Sequence, residues 1–114
     1  MHCVSTYPLD PKNANILKLN ELNKIFKLIG YSDHMQGVES AKVAMEFEIH
    51  AIEKHFTVDN NLPGRDNKFA ILPRDLSNLS SYIKLRNDMM IDKGLNYQKD
   101  ELDSRRNYTG RFDG

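Results

Sequence analysis

Three short apolar or β-branched runs, each followed by turn chemistry and a helical pattern, limit this chain to one kind of architecture. The first run is His2 to Thr6 (HCVST), closed by Pro8 and Pro11. Asn15 to Leu28 then places Ile16, Leu17, Leu19, Leu22, Ile25 and Phe26 at helical spacing. Leu28 to Tyr31 reads as a second strand, in which Gly30 permits close backbone approach. A second helix runs from Gly37 and Val38 to about Glu48, with Val38, Ala41, Ala44 and Met45 on one face. Ile49 to Phe56 reads as a third strand, and Asn60 to Asn67 (NNLPGRDN) as a loop rich in turn formers. Pro73 suits the first turn of a third helix that extends to about Asp92 on Leu76, Leu79, Ile83 and Met90. Strand and helix in alternation predict parallel strands joined by right-handed crossovers. Three such strands make an incomplete sheet with open edges. The expected fold is therefore α/β, the C-terminal portion of a TIM-type β/α barrel with about three strand-helix units over residues 1–94. Residues 95–114 are a polar tail, expected to be irregular or weakly helical.

Composition narrows the function. The chain has 114 residues, enough for one domain. Sixteen basic side chains balance sixteen acidic ones, which gives no support to binding of nucleic acid or an anionic membrane. Cys3 is the single cysteine, so no internal disulfide can form, and a reducing, cytoplasmic setting is expected. No apolar run approaches the roughly 20 residues of a membrane helix, and MHCVSTYP lacks the pattern of a secretory signal.

The strand ends carry the chemistry. Residues two apart on a strand share a face, which pairs Ser5 with Tyr7, Ser32 with His34, and Glu53 with His55. All lie at C-terminal strand ends, where β/α barrels build their active sites. A gap of 21 residues between His34 and His55 fits one strand-helix unit. Neighbouring strands run roughly 4.8 Å apart, so both imidazoles could reach one metal ion with bonds of about 2.0–2.2 Å. Surface histidines placed by chance are the competing reading. For Ser32 and Asp33 the alternative is turn or helix-capping chemistry. For Glu53 and Lys54 it is a local surface ion pair, for Asp66 an ordinary turn, and for Cys3 a small core residue. His50 and the methionines are assigned to packing or solvent.

The motifs HCVSTYP, IGYSDH, IEKHFT and LPGRD followed by KFAILPRDL resemble the sialic acid synthase family, in the same order and at similar spacing, over roughly residues 2–85. That family includes N-acetylneuraminate synthases and their legionaminate and pseudaminate relatives. The resemblance implies a β/α barrel that condenses phosphoenolpyruvate with an N-acetylated amino sugar, such as N-acetylmannosamine, to a nine-carbon 2-keto acid sugar. It implies that His34 and His55 bind a divalent metal, Mn2+ or Mg2+. It also implies that Ser5 and Ser32 face phosphoenolpyruvate, that Tyr7 and Asp66 hold the amino sugar, and that Glu53 acts near the reacting atoms. Three features depart from the family. The earlier barrel strands and the antifreeze-like domain of many members are missing, and Arg65 stands where proline is commoner. The chain is accordingly expected to be inactive alone, and to form a homo-oligomer or associate with the missing strands. A non-catalytic or split-gene remnant that binds metal, or joins a fuller synthase, is the alternative.

Overall fold

The computed structural model describes residues 1–108. A parallel sheet in the order β1-β2-β3 is formed by β1 (His2–Cys3), β2 (Gly30–Asp33) and β3 (Ala51–Lys54). The crossovers contain α1 (Lys18–Ile25) and α2 (Glu39–Ala44), the latter extended by the 3-10 turn Met45–Phe47. After β3 come α3 (Pro73–Met89) and α4 (Glu101–Tyr108). The expected α/β order with parallel pairing is present.

The elements are shorter than their hydrophobic patterns, and the backbone shows why. Asn15 sits at φ 47, a left-handed conformation that delays α1, and Phe26 is already extended at φ −120 and ψ 137. Glu48, at φ 55, separates α2 from β3. Strand β2 lies two residues later than its apolar run, which brings Ser32 and Asp33 inside the sheet and leaves Leu28 exposed. Strand β1 ends at Cys3, so Ser5 and Tyr7 occupy the following loop and strand alternation does not govern them. Beyond β3 the chain finds a fourth parallel partner, because Phe56 and Ile71 form a bridge. The amide of Ile71 donates to the His55 carbonyl at 2.9 Å, and the amide of Thr57 donates to the Ile71 carbonyl at 3.0 Å. The sequence gives no hint of this pairing, which rests on a single residue inside a loop-like stretch.

Helix α3 starts as expected at Pro73, where the Asp75 carboxylate accepts the Leu72 amide at 3.0 Å and satisfies one orphan donor of the first turn. Within the tail, residues 101–108 form a helix, the second of the two states expected of it. The remainder of that tail, residues 109–114, lies outside the described residues.

The apolar core lies on one side of the sheet. Leu19, Ile29, Tyr31 and Ala44 form one cluster beneath α1 and α2, while Val38, Ala41, Ile71 and Leu79 form another against α3. The opposite face, with Cys3, Glu53 and His55, is open to solvent. Cys3 is therefore not the core residue expected. The radius of gyration is 19.9 Å, against about 13 Å for a closed globule of this length. The molecule is thus a one-sided, elongated layer, and its uncovered face carries the polar strand-end residues.

Candidate active site

Register decides which side chains meet. Ser32 pairs with Glu53 and Asp33 with Lys54 across β2 and β3. Continuing that register by one residue sets His34 beside His55. Their ring centroids are 5.4 Å apart with planes tilted by 44°. Tyr7, though outside the strand, closes the group: its ring stacks on His55 at 4.8 Å and meets His34 edge-on at 5.4 Å.

Each histidine is held from behind. His34 Nδ1 lies 2.9 Å from the Val4 carbonyl. A carbonyl can only accept, so Nδ1 carries the proton and Nε2 keeps its lone pair, the arrangement of a metal-ligating imidazole. The His34 carbonyl accepts the Leu9 amide at 3.0 Å. Cys3 Sγ also approaches His34 Nδ1, at 3.7 Å. His55 is exposed and anchored through its backbone to Ile71.

The pairing of the carboxylates differs from the simple surface reading. Glu53 does not pair with Lys54; its Oε1 accepts the Ser32 hydroxyl at 2.7 Å. Lys54 instead reaches Asp33 at 2.8 Å on the helix side of the sheet. Asp33 does fulfil the turn chemistry expected of it, since Oδ1 accepts the Met35 amide at 3.0 Å.

Two cavities flank His34. One, of about 220 Å³, is lined by Ser32, Asp33, His34, Glu53, Lys54 and His55. The other, of about 320 Å³, is lined by Ser5, Tyr7, His34, Arg65 and Asp66. The sequence-derived residues thus separate into two groups that share one histidine. Arg65 was not among them, although its departure from proline marked it. The Tyr7 hydroxyl donates to the Phe69 carbonyl at 2.5 Å. Burial raises the Tyr7 pKa above 10.0, helped by the negative charges of Asp66 and Asp33, so it remains a neutral hydroxyl. A further cleft of about 460 Å³, between β3 and α3, is mainly apolar and lies behind the sheet.

Among the described residues no group of three or more His, Cys, Asp or Glu side chains converges as a cage. His34 and His55 are the residues here whose imidazoles could hold a metal. Any further coordination would have to come from oxygen ligands outside these two side chains.

Residues 1–94 match the NeuB family. The chain is 36% identical over 85 residues to the N,N'-diacetyllegionaminic acid synthase of Campylobacter jejuni, covering 74% of this chain and 25% of that protein. It is also 36% identical over 85 residues to the N-acetylneuraminate-9-phosphate synthase of Drosophila melanogaster, covering 73% and 23%. The crystal structure of N-acetylneuraminic acid (sialic acid) synthetase from Leptospira borgpetersenii, in complex with citrate, superimposes with a TM-score of 0.75 at 32% identity, covering 94% of this chain and 39% of that one. The chain spans about a quarter of the length of the curated relatives it matches. Four motifs in register, the parallel sheet and the family match agree: this chain belongs to the NeuB family.

Proposed function

We propose that this chain supplies the metal-binding and acceptor side of a sialic acid synthase-like active site, as the C-terminal part of a β/α barrel. The reaction joins phosphoenolpyruvate to an N-acetylated amino sugar such as N-acetylmannosamine. The observation that carries this reading is the convergence of His34 and His55 at 5.4 Å beside the Ser32–Glu53 pair.

In the proposed reaction, C3 of phosphoenolpyruvate forms a bond to the aldehyde carbon of the open-chain sugar. Water adds to the former enol carbon, and phosphate leaves with its bridging oxygen. The product is a nine-carbon 2-keto acid sugar. His34 and His55 would hold Mn2+ or Mg2+. When bound, that cation supplies Lewis-acid stabilisation of negative charge developing on the aldehyde oxygen. Glu53 orients the attacking water and accepts its proton, and the Ser32 hydroxyl fixes the carboxylate for that task. Ser5 offers its hydroxyl to phosphoenolpyruvate, while Ser32, whose proton is committed to Glu53, lines the cavity beside it. Asp66 accepts hydrogen bonds from sugar hydroxyls, and Tyr7 forms a wall of the acceptor cavity.

The exposed inner face and the open edge of β1 call for further strands, and the chain alone is expected to be inactive. We propose that those strands come from a second polypeptide segment or from a homo-oligomer, in the cytoplasm. Among the described residues no helix is long and apolar enough to cross a membrane.

The test is a chimera in which residues 1–94 replace the matching segment of the Campylobacter legionaminic acid synthase. Phosphate release from phosphoenolpyruvate that requires both an amino sugar and Mn2+ is the expected result. A folded chimera that binds Mn2+ but releases no phosphate with any N-acetylated amino sugar would support the non-catalytic metal-binding reading instead.

A further inference from the structure

We infer that Asp33 and Lys54 form a positioning pair that sets the spacing and ring orientation of His34 and His55 from behind the sheet. The proposal rests on the reading that these two histidines hold the cation. The pair is buried, with side-chain exposures of 0% for Asp33 and 5% for Lys54, and its ions lie 2.8 Å apart. By strand alternation both side chains point away from Ser32 and Glu53, although both residues also border the smaller cavity.

The hydrogen bonds converge on the residue that follows His34. Asp33 Oδ1 accepts the Met35 amide at 3.0 Å, and Lys54 Nζ donates to the Met35 carbonyl at 2.8 Å. Asp33 Oδ2 accepts both Lys54 Nζ, at 2.8 Å, and the Ser40 hydroxyl, at 2.5 Å, which ties the assembly to α2. His34 therefore sits between two residues whose polar groups are committed to one ammonium and one carboxylate. Lys54 is also the residue immediately before His55. A single buried pair thus ties Met35, which follows His34, to Lys54, which precedes His55.

An apolar pair could fill the same volume, but it could not direct two bonds to the Met35 peptide. The location on paired strand positions gives the ion pair a second effect. A one-residue slip between β2 and β3 would move the histidines to different heights and turn one of them to the other face. Such a slip would also strand a buried charge, which strongly disfavours it.

The test uses the full 114-residue chain. Imidazole 15N spectra report the His34 tautomer, ring-proton contacts report the approach of His34 to His55, and electron paramagnetic resonance reports Mn2+ affinity. Circular dichroism monitors the fold. In Lys54→Met, the His34 tautomer becomes mixed, the ring contacts are lost, and Mn2+ binding weakens by at least about tenfold. Lys54→Arg, which keeps a cation at that position, restores the ring contacts. Should Lys54→Met fail to fold, Ser40→Ala decides the matter, since it leaves the ion pair and removes one bond to Asp33. It is expected to loosen the ring contacts measurably. Wild-type tautomer and ring contacts in a folded Lys54→Met, or in Ser40→Ala, would overturn the proposal. If the unmodified chain binds no Mn2+, the metal reading fails, while the ring contacts still judge the positioning role by themselves.

Discussion

The Ser32 hydroxyl donates to Glu53 Oε1 across 2.7 Å, between two residues that are direct partners in neighbouring strands. The bond commits one carboxylate oxygen and fixes the plane of the group at the wall of the smaller cavity. Glu53→Gln preserves the shape and removes the proton acceptor. In the chimera, phosphate release should fall by about 10²–10⁴-fold, the range for a lost general base. Ser32→Ala should fall less, because it frees the carboxylate without removing it. Steady-state phosphate release measures both, and equal rates in Glu53→Gln and the parent would remove Glu53 from the chemistry.

The two imidazoles give a second expectation. On the proposed reading His34 and His55 are the nitrogen donors of an open site, so losing either would remove a ligand outright. Loss of a group that merely orients a ligand weakens metal binding by about 10–100-fold, and loss of the ligand should do no less. His34→Ala and His55→Ala are each expected to weaken Mn2+ binding by at least about tenfold, and the double variant to abolish it. Calorimetry on the chain reads the affinity directly. Unchanged affinity in the double variant would rule out the assignment.

Much of this site was legible because it follows from period and spacing. A 21-residue interval repeats as Ser32–Glu53, Asp33–Lys54 and His34–His55, and the first two are observed pairs. The rest depends on contacts that local pattern does not encode. Tyr7 joins the site from a loop, by stacking on His55. Ile71 extends the sheet through one bridge, too short to leave an alternation. The alternative that made Lys54 a surface partner of Glu53 fails because neighbours on a strand face opposite sides. Cys3 looked like core because small apolar residues usually are, whereas the face it occupies is uncovered here. The helix boundaries were missed where Asn15 and Glu48 adopt left-handed backbone conformations that their residue types do not announce.

Tyr31 predicts a response to alkaline pH. Its ring is fully buried, and its hydroxyl lies beside the Asp33 carboxylate. Burial, with the nearby negative charge of Asp33, raises its pKa well above 10.0. The unfolded chain then loses that proton near pH 10 while the folded chain retains it. Stability is thus unaffected below about pH 10 and falls as pH rises from there toward the folded value. Tyr31→Phe should flatten this alkaline decline. At neutral pH, loss of the buried hydroxyl beside Asp33 should change stability by no more than about 1 kcal/mol. Urea titrations at pH 7.5 and 10.5 give both quantities, and an unchanged alkaline slope in the variant would contradict the argument.

Gly30 and Gly94 allow the sheet's role in the site to be separated from stability in general. A Cβ at Gly30 would lie 2.9 Å from the Ala51 carbonyl oxygen, a backbone atom of the paired strand that cannot move aside without parting β2 from β3. Gly94 has open space around it, but its φ of +74 strains any side chain. Gly30→Ala should destabilise by about 1–3 kcal/mol through overpacking, and Gly94→Ala by about 1–2 kcal/mol through backbone strain. The losses are similar, but the consequences for the site differ. Parting β2 from β3 moves His34 away from His55, so Gly30→Ala should also weaken Mn2+ binding under conditions where the chain is still folded. Gly94→Ala, beyond the end of α3, should leave Mn2+ affinity unchanged. Equal Mn2+ affinities for both folded variants would show that the spacing of the histidines does not depend on how closely these two strands approach.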